Sequence, residues 1–375
     1  MQTIGITGSS GFLGWHMRCL LSTKEDISVV VADRNTFCSN SSLINFVTQC
    51  DVIIHLAGIN RGTDEDISTI NPQLAKMLVR AIKESSATPH ILYSSSTHIE
   101  RGSVYGVSKQ GASDVFQQWA TETGGLFSNI ILPNLFGEYG KPFYNSVVAT
   151  FCYQLANKEI PLVEHDGEIE LLHAQDACSV FLDSIGHNTA GELRPPGNKM
   201  LVSEMLDTLL NLQNTYGDGV IPSFDDLFTL RLFNTYRSYL YPDNFPVHLQ
   251  MHSDDRGLLF EAVKTLHGGQ AFLSTTVPGI TRGDHFHFDK VERFLVVKGS
   301  ATIRIRKLFS DETIKYRVGG EQPAFVDIPT LCTHNITNTG DDELLTFFWS
   351  HELYNPDNPD TYFVPVTPKE RTNHE

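Results

Sequence analysis

The sequence predicts two successive fold classes: a doubly wound parallel α/β domain, followed by an all-β barrel of the jelly-roll type. Between residues 3 and 132, short apolar strands alternate with helical segments, which is typical of a parallel sheet covered on both faces. Beyond residue 246 the periodicity changes to alternation of two, in short runs bounded by glycines, which favours a closed barrel. The 375 residues are enough for two domains with full cores.

The N-terminal strand leads into a glycine-rich turn. Residues 3–7 form a short apolar run, the segment Gly8-Ser9-Ser10-Gly11-Phe12-Leu13-Gly14 follows, and a helical pattern spans residues 15–21. Glycines in this arrangement allow a tight turn, close approach of the backbone to a pyrophosphate, and packing of the helix on the strand, as in a Rossmann-type domain. The predicted cofactor contacts in the turn are Gly8, Gly11, Phe12, Leu13 and Gly14.

The second strand, residues 27–32, ends in Asp33 and Arg34, which give opposing indications about the cofactor. An acidic residue at this position binds the ribose 2′-hydroxyl of NAD, whereas a neighbouring arginine accepts the 2′-phosphate of NADP. We favour NADPH because the Arg34 guanidinium can pair with a phosphate. In the alternative interpretation, Arg34 is an exposed charge at the end of a strand.

A third strand, residues 51–56, is followed by small residues that permit close approach of the cofactor. Leu56, Ala57 and Gly58 are the further predicted cofactor contacts. A helix predicted over residues 72–85 then leads into a strand over residues 90–94, which continues the alternation of a parallel sheet.

The serine run Ser94-Ser95-Ser96 closes that strand, and Tyr105 and Lys109 open the next helix. Their spacing of four places both side chains on one helical face. A tyrosine, with a reference pKa of about 10, is a poor acid-base group near neutrality until a nearby ammonium favours its phenolate. With a serine hydroxyl to hold the substrate oxygen, the pair predicts a proton relay.

In this order, the glycine turn, the small-residue strand end, the serine run and the Tyr105/Lys109 pair resemble the extended short-chain dehydrogenase/reductase family, in its nucleotide-sugar branch. The resemblance covers residues 1–240. It implies Tyr105 as the acid-base catalyst, Lys109 as its activator and ribose ligand, and Ser96 as the catalytic hydroxyl. The interval of nine residues between Ser96 and Tyr105 is short for the family, so Ser95 is the alternative to Ser96.

The same resemblance implies two substrate-binding asparagines. Asn134 lies in Pro133-Asn134-Leu135-Phe136-Gly137, which is similar to the family segment that approaches both nicotinamide and substrate. Asn145 lies where the family holds the nucleotide and sugar, although it equally suits a helix cap. Asp176, in a later strand-to-helix segment, is predicted to be an N-cap or a structural contact.

Helical segments over residues 202–215 and 224–240 complete this part of the chain. The two prolines and turn residues of residues 241–246 mark a boundary. We therefore predict an NAD(P)-binding reductase domain at residues 1–243 and a barrel domain at residues 247–375. The tail from Val366 is predicted to be frayed.

The barrel region contains a metal-ligand pattern. Gly279, His285, His287, Glu292 and Gly299 follow one another at spacings of six, two, five and seven. On a strand, residues two apart share a face, so His285 and His287 point to one centre, and a strand that begins at Glu292 can bring a carboxylate to it. Two imidazoles and a carboxylate make a metal site.

A second segment supplies Pro329, His334 and Asn338, and His334 is the predicted third imidazole. Together the two segments resemble the cupin superfamily, and the predicted metal ligands are His285, His287, Glu292 and His334. The glycine usual in the second segment is Leu331 here, which affects the local turn and no ligand. In the alternative interpretation the histidines are core residues of a barrel that binds no metal.

Composition excludes several classes of partner. The chain has 28 basic and 44 acidic residues, a formal charge of −16, which disfavours nucleic acid. Six cysteines without a CxxC pair predict reduced thiols. No apolar run approaches the length of about 20 residues that spans a bilayer, so we predict no membrane partner and a cytoplasmic location.

The whole chain resembles a family of bifunctional capsular polysaccharide enzymes and their O-antigen relatives. Besides the segments around Asn134 and Asn145, this rests on Asp254-Asp255-Arg256-Gly257, Gly299-Ser300-Ala301 and residues 359–363. The resemblance implies C3 epimerisation of a UDP-2-acetamido-2,6-dideoxy-hexos-4-ulose by a zinc-bearing cupin. It also implies C4 reduction with NADPH in the first domain, a UDP-sugar substrate and a homodimer, on the route to N-acetyl-L-fucosamine.

Some assignments stay open at this point. Lys290, Tyr316 and Asp327 are candidates for moving the C3 proton. The barrel is alternatively a structural or dimerising module on a single-function reductase. A ligand set of three histidines and a glutamate also suits iron or manganese in an oxygen-using enzyme. A non-enzymatic nucleotide sensor is disfavoured because Ser96, Tyr105 and Lys109 are all present.

Overall fold

The computed structural model describes residues 1–367. The helices are α1 (Phe12–Leu21), α2 (Arg34–Phe37), α3 (Asn40–Val47), α4 (Asp64–Ser85), α5 (Val104–Thr123), α6 (Val147–Ala156), α7 (Ala174–Gly186), α8 (Val202–Gly217) and α9 (Leu227–Ser238), with a 3-10 helix at Thr97–Arg101. The strands are β1 (Gln2–Thr7), β2 (Ile27–Ala32), β3 (Val52–His55), β4 (His90–Ser96), β5 (Phe127–Leu132), β6 (Asn134–Phe136), β7 (Glu168–His173), β8 (Gly191–Leu193), β9 (Asn198–Leu201), β10 (Val220–Ile221), β11 (Val247–His248), β12 (His252–Asp254), β13 (Gly257–Leu259), β14 (Lys264–Thr265), β15 (Gln270–Thr276), β16 (Thr281–Phe286), β17 (Glu292–Lys298), β18 (Ser300–Lys307), β19 (Ile314–Gly319), β20 (Ala324–Ile328), β21 (Cys332–Asn338), β22 (Leu344–Ser350) and β23 (Tyr362–Phe363).

By their contacts these residues form two compact units. Unit 1 contains residues 1–136 and 167–200, and unit 2 contains residues 137–166 and those from 201 onward. Helices α6, α8 and α9 therefore belong to the same unit as the barrel strands. The predicted domains follow motifs rather than contacts, so their boundary between residues 243 and 247 stays a prediction.

Unit 1 is built on a parallel six-stranded sheet of order β2-β1-β3-β4-β5-β8. One apolar layer on the sheet includes Leu43 of α3, Leu78 of α4 and Phe116 of α5. The opposite layer includes Met17 of α1 and Phe181 of α7. A parallel sheet buried by helices on both faces is the predicted doubly wound, Rossmann-type class, which is thereby confirmed.

Helix α4 is longer than predicted. It begins at Asp64 rather than Pro72, because Thr63 and Asp66 form a capping box at its start. Pro72 lies inside the helix. The prediction started the helix at Pro72 because proline favours the first turn of a helix. The capping box instead satisfies free amides at the true start, about two turns earlier.

Two predicted helix caps are wrong. Ser146, not Asn145, caps α6, because the Ser146 hydroxyl accepts a hydrogen bond from the Ala149 amide at 3.3 Å. His173, not Asp176, caps α7. Asp176 lies in the first turn of α7, where a carboxylate favours the helix dipole.

The barrel in unit 2 consists of two five-stranded antiparallel sheets, of orders β11-β20-β17-β22-β15 and β19-β18-β21-β16-β23. Apolar residues of several strands, including Phe294, Ile303, Ile305 and Ile336, are buried. The all-β, antiparallel arrangement with an apolar interior confirms the second predicted fold class.

Leu331 forms the turn between β20 and β21 in a left-handed conformation, with φ 59°. Its amide donates to the His287 carbonyl at 2.9 Å, and its side chain is fully buried. The left-handed backbone costs about 1–2 kcal/mol, and burial of a leucine side chain contributes about 1.5–3 kcal/mol. The turn therefore forms without glycine. Its hydrogen bond joins the start of β21, which contains His334, to His287.

The cysteines, the helices and the C-terminal tail bear on the remaining expectations. All six cysteines are free thiols, five of them buried and Cys38 exposed. None of the helices within residues 1–367 combines the length and the apolar character needed to cross a membrane. The predicted frayed tail falls mainly on residues 368–375, which lie outside the described residues. Val366 itself is buried, and its carbonyl accepts a hydrogen bond from Arg306.

Candidate functional site

Helix α5 presents the predicted proton relay. The Ser103 hydroxyl caps the helix by accepting a hydrogen bond from the Gly106 amide at 3.1 Å. Tyr105 is half-buried and Lys109 is 5% exposed, and their spacing of four puts them on one face of α5. The structure therefore holds both side chains on one capped, rigid helix.

Lys109 occupies a low-polarity environment. Its Nζ lies 4.4 Å above the ring of Tyr93, and burial lowers the pKa of Lys109 to about 7. A buried ammonium is stabilised by polar partners that replace its water. The ribose hydroxyls of a nicotinamide cofactor are such partners, which agrees with the role that the family resemblance implies.

The serine run lies at the end of β4, which continues to Ser96 rather than ending at Ser94. The Ser96 hydroxyl caps the following 3-10 helix by accepting a hydrogen bond from the His98 amide at 3.3 Å. The Ser95 hydroxyl is buried and has no hydrogen-bond partner within residues 1–367. Ser95 shares a strand face with Tyr93, so it lies on the side of β4 that faces Lys109. Both serines stay candidates for holding a substrate oxygen.

The glycine turn is tight and packs closely on α1. Gly8 has φ 70°, and the Gly11 amide donates to the Gly8 carbonyl at 3.0 Å. A Cβ on Gly14 would lie 2.2 Å from the Gly8 carbonyl oxygen, so α1 packs directly on the turn. Only a residue without a side chain fits there.

Asn71, in α4, organises the loop that follows β3, and it was not among the predicted site residues. Its side chain accepts a hydrogen bond from the Ile59 amide at 2.8 Å, and donates to the Ile59 carbonyl at 2.9 Å and to the Ser108 hydroxyl at 2.8 Å. A Cβ on Gly58 would lie 2.7 Å from the Asn71 side-chain oxygen. The predicted cofactor contacts Leu56, Ala57 and Gly58 are therefore tied to α5. A buried asparagine directly before a proline inside a helix was the available signal.

Asp33 and Arg34 differ in their surroundings. The Asp33 carboxylate accepts a hydrogen bond from the Thr36 amide at 2.9 Å and so caps α2. Hydrogen bonds from the Thr36 amide and hydroxyl lower the pKa of Asp33. Arg34 is exposed as the first residue of α2. Asp33 thus has a structural role beside the one predicted for it.

The predicted substrate asparagines are held differently. The Asn134 side chain donates to the Glu170 carbonyl at 3.3 Å, which connects β6 to β7. Asn145 is exposed, directly before the residue that caps α6. Their roles in binding substrate stay predictions.

The four predicted metal ligands form one cluster in the barrel. His285 in β16 lies opposite His334 in β21, and Glu292 begins β17. One ligand atom from each of the four residues lies within 4.8 Å of those of the others. The His285 ring centroid lies 4.6 Å from that of His334 and 5.0 Å from that of His287.

Two carbonyl oxygens orient the imidazoles. The His287 Nδ1 lies 2.5 Å from the Asp360 carbonyl oxygen, and the His334 Nδ1 lies 3.2 Å from the Cys332 carbonyl oxygen. In each ring Nε2 then faces Glu292, at 3.2 Å for His287 and 3.3 Å for His334. A hydrogen bond to the outer nitrogen is the usual way in which a protein fixes a metal-binding histidine.

The electrostatics of the cluster also suit a cation. Burial opposes charge on Glu292, yet the His287 and His334 imidazoles hold its pKa well below the usual range. Burial, and then the two neighbouring imidazoles, lower the pKa of His285 to about 3. The Nε2 of His334 is fully buried, and the Glu292 carboxylate faces it at 3.3 Å. Burial opposes charge on His287, yet its contact with Glu292 raises the pKa of His287. Three imidazoles that converge on one buried carboxylate form a donor set that fits a divalent metal.

The three predicted proton carriers are engaged elsewhere. Asp327 pairs with Arg293, on the strand face opposite to Glu292, with oxygen-to-nitrogen distances of 2.6 and 2.8 Å. The Tyr316 hydroxyl donates to the Pro242 carbonyl at 2.8 Å. The Lys290 ammonium donates to the Pro359 carbonyl at 2.6 Å. Alternation along β17 and β20 directs Asp327 away from the cluster, which disfavours it as the carrier of the C3 proton.

Family models match both parts of the chain. The model described as NAD dependent epimerase/dehydratase family matches residues 4–194, and the one described as polysaccharide biosynthesis C-terminal domain matches residues 252–362. The chain belongs to the NAD-dependent epimerase/dehydratase family. As an epimerase/dehydratase-family protein it is an NAD(P)-dependent oxidoreductase, and the second match adds a domain of polysaccharide biosynthesis.

Two relatives of this epimerase/dehydratase-family chain align over nearly its whole length, and a third aligns over about a third of it. It is 32% identical to the UDP-2-acetamido-2,6-beta-L-arabino-hexul-4-ose reductase of Pseudomonas aeruginosa, over 96% of this chain and 98% of the relative. The crystal structure of the capsular polysaccharide assembling protein CapF from Staphylococcus aureus is 34% identical, covers 97% of this chain and 100% of that one, and has a TM-score of 0.63. The spore coat polysaccharide biosynthesis protein SpsL of Bacillus subtilis is 31% identical over 127 residues, 31% of this chain and 84% of the relative. The resemblance to CapF-type capsular polysaccharide enzymes is confirmed.

Proposed function

We propose that the chain is a bifunctional nucleotide-sugar enzyme of capsule or O-antigen precursor synthesis, on the route to N-acetyl-L-fucosamine. The barrel epimerises C3 of a UDP-2-acetamido-2,6-dideoxy-hexos-4-ulose, and the α/β domain reduces the C4 ketone with NADPH. The observation that carries this proposal is the presence in one chain of a Tyr-Lys relay on α5 and a four-ligand cluster in the barrel. The reductase name of the Pseudomonas aeruginosa relative supports the ketoreductase half.

In the reductase site, the residues of this chain manage the proton. NADPH supplies the hydride when bound. The Tyr105 hydroxyl gives its proton to the C4 oxygen as that oxygen gains charge, and Lys109 favours the resulting phenolate. Ser96 or Ser95 donates a hydrogen bond that holds the ketone oxygen in place.

In the barrel, C3 chemistry depends on the C4 ketone, which acidifies the neighbouring C–H bond. His285, His287, Glu292 and His334 would hold a divalent metal, which we propose to be zinc. Bound there, it supplies a Lewis acid for the sugar oxygen. The carbonyls of Asp360 and Cys332 keep the ligand imidazoles in the binding tautomer.

The experiment that tests the two-site proposal is deuterium incorporation. The purified protein is mixed with the 4-keto sugar nucleotide in heavy water without NADPH, and deuterium at C3 and C5 is followed by NMR. We expect uptake at C3 that stops when the metal is chelated. Turnover with NADPH but no C3 uptake would leave a single-function reductase that carries a structural or dimerising barrel. The homodimer and the cytoplasmic location stay predictions.

Arg34→Ala should weaken NADPH selectively. Loss of one charge-assisted contact to the 2′-phosphate, worth about 1.5–3 kcal/mol, should raise the KM for NADPH about 10- to 100-fold. The KM for NADH, which lacks that phosphate, should change little and serves as the internal control. Equal effects on both cofactors would show that Arg34 does not bind the phosphate.

A further inference from the structure

Helix α9 is an unusual helix because it buries charge. Every residue from Leu230 to Ser238 is buried, including Arg231 at 7%, Asn234 at 1% and Arg237 at 2% exposed. These three polar residues are spaced by three, so they lie along one side of the helix. Long charged side chains are rarely buried unless they are paired, and each of these three is paired with the barrel.

Arg231 and Asn234 bind the loop between two metal ligands. The Arg231 guanidinium donates to both carboxylate oxygens of Asp289, at 3.0 and 3.3 Å, and the Asn234 side chain donates to the Asp289 carbonyl at 2.8 Å. Asp289 stands between His287 and Glu292 in the sequence. A two-pronged ion pair fixes direction as well as distance, so α9 sets the position of this loop from one side.

Asp360 holds the same loop from the other side. Its carboxylate accepts hydrogen bonds from the amides of Phe288, Asp289 and Lys290, at 2.8, 2.9 and 2.8 Å. Its carbonyl orients the His287 ring. The loop is therefore held between α9 and the segment around Asp360, and neither support alone accounts for its position.

Arg237 extends this support to the strand that lies beside Glu292. Its guanidinium donates to the Ile328 carbonyl at 2.6 Å and to the Asn234 side-chain oxygen at 3.0 Å. Ile328 is the register partner of Glu292 in the β17–β20 pairing. The side chains of α9 thus form a continuous hydrogen-bonded set that reaches both the loop after His287 and the partner strand of Glu292.

The residue preceding Ile328 is bound by α8. The Tyr216 hydroxyl of α8 donates to the Asp327 carboxylate at 2.5 Å, and Asp327 also pairs with Arg293, the neighbour of Glu292. Asp327 and Arg293 are both essentially inaccessible to solvent. Buried ion pairs of this kind add little to stability over apolar packing but fix geometry when they are intact.

We propose that α9 is a positioning element of the barrel metal centre, and that Arg231, Asn234 and Arg237 act on it through Asp289 and Ile328. This inference rests on the proposed metal-dependent C3 chemistry. It assigns to the epimerase site a helix that its place in the sequence groups with the reductase. Arg231, Asn234 and Arg237 are positioning residues, because they touch the supports of the ligands rather than the reacting atoms.

The test measures zinc affinity of the full-length protein by competition with a chromophoric chelator, together with C3 deuterium uptake and NADPH-dependent reduction. Arg231→Ala and Asp289→Asn should each weaken zinc binding about 10- to 100-fold, the range for residues that orient metal ligands. The zinc affinity of the double variant should be about equal to the lower of the two single-variant affinities, because both changes break the same ion pair. Reduction of a pre-epimerised substrate should stay within about twofold of the wild type, because neither residue touches Tyr105, Lys109 or the serine run of the reductase site.

Arg306→Ala is the matched control. Arg306 is also a buried barrel arginine, but its three hydrogen bonds go to the carbonyls of Val366, Pro365 and Ser310, and none goes to the loop of residues 288–290 or to Ile328. Its zinc affinity should stay near that of the wild type. Zinc affinity lowered equally in Arg306→Ala and Arg231→Ala, or unchanged in both Arg231→Ala and Asp289→Asn, would overturn the positioning role while leaving the proposed function in place. A wild type that binds no zinc and takes up no deuterium at C3 would overturn both.

Discussion

Tyr105→Phe is expected to abolish reduction of the sugar and to leave C3 exchange at the wild-type rate. The change removes the one hydroxyl that we assign to protonation of the C4 oxygen, while the ring keeps its place on α5 beside His98, whose ring centroid lies 5.9 Å away. Loss of a positioned general acid costs about 10²- to 10⁴-fold in rate. NADPH oxidation followed by absorbance, and deuterium at C3 followed by NMR on the same preparation, give the two readouts.

The matched control for this variant is Tyr153→Phe. Tyr153 is a half-buried tyrosine of α6 that packs on Phe143. Its hydroxyl is not part of the proposed relay, so both activities should persist in this variant. Loss of both activities in Tyr105→Phe, with normal folding, would contradict two separate sites and would place the C3 chemistry in the reductase pocket.

His334→Ala is expected to have the opposite effect. The His334 side chain is fully buried in the cluster, 3.3 Å from the Glu292 carboxylate. The substitution therefore removes one of the four proposed metal ligands. C3 exchange should fall at least about 100-fold, because the Lewis acid is no longer held. Reduction of a pre-epimerised 4-keto sugar should continue. Elemental analysis of the purified variant should show less than the metal content of the wild type.

The comparison variant is His252→Ala, which removes an exposed imidazole from β12 of the same unit. Its metal content and C3 exchange should be unchanged. If His334→Ala retained full exchange, the cluster would be a set of core histidines, as in barrels that bind no metal. If iron or manganese were found with oxygen consumption, the barrel would instead belong to an oxygen-using class.

Local patterns predicted most of the fold and the composition of both sites. The glycine turn with Gly8 and Gly14, the pair Tyr105 and Lys109, and the ligands of the barrel are encoded by short spacings that two regular structures, helix and strand, convert directly into shared faces. The structure brings His285, His287, Glu292 and His334 into one cluster, as strand alternation requires. These features depend on neighbours in sequence, so they could be predicted without any tertiary information.

Long-range partners could not be predicted in the same way. Asp327 is an attractive acid-base group in isolation, and only its pairing with Arg293 and Tyr216 removes it from the site. The pattern of α9 shows helical spacing, but nothing local reveals that Arg231 meets Asp289, 58 residues later. The N-caps of α6 and α7 could not be predicted either, because several polar residues stand near each helix start and only the backbone geometry decides which one bonds a free amide.

The composition of unit 2 has a consequence for how the protein is made. The Tyr139 hydroxyl donates to the Thr330 carbonyl at 3.2 Å across a separation of 191 residues, and Val148 and Phe151 of α6 are buried in the finished molecule. At a synthesis rate of about 5–20 residues per second, Tyr139 is added to the chain roughly 10–40 s before Thr330. Helix α6 packs on α8 and α9, which are made before the barrel strands, whereas Tyr139 waits for its partner until β20 is complete. We therefore expect the yield of active enzyme to depend on how well chaperones shield the segment around Tyr139 during that interval.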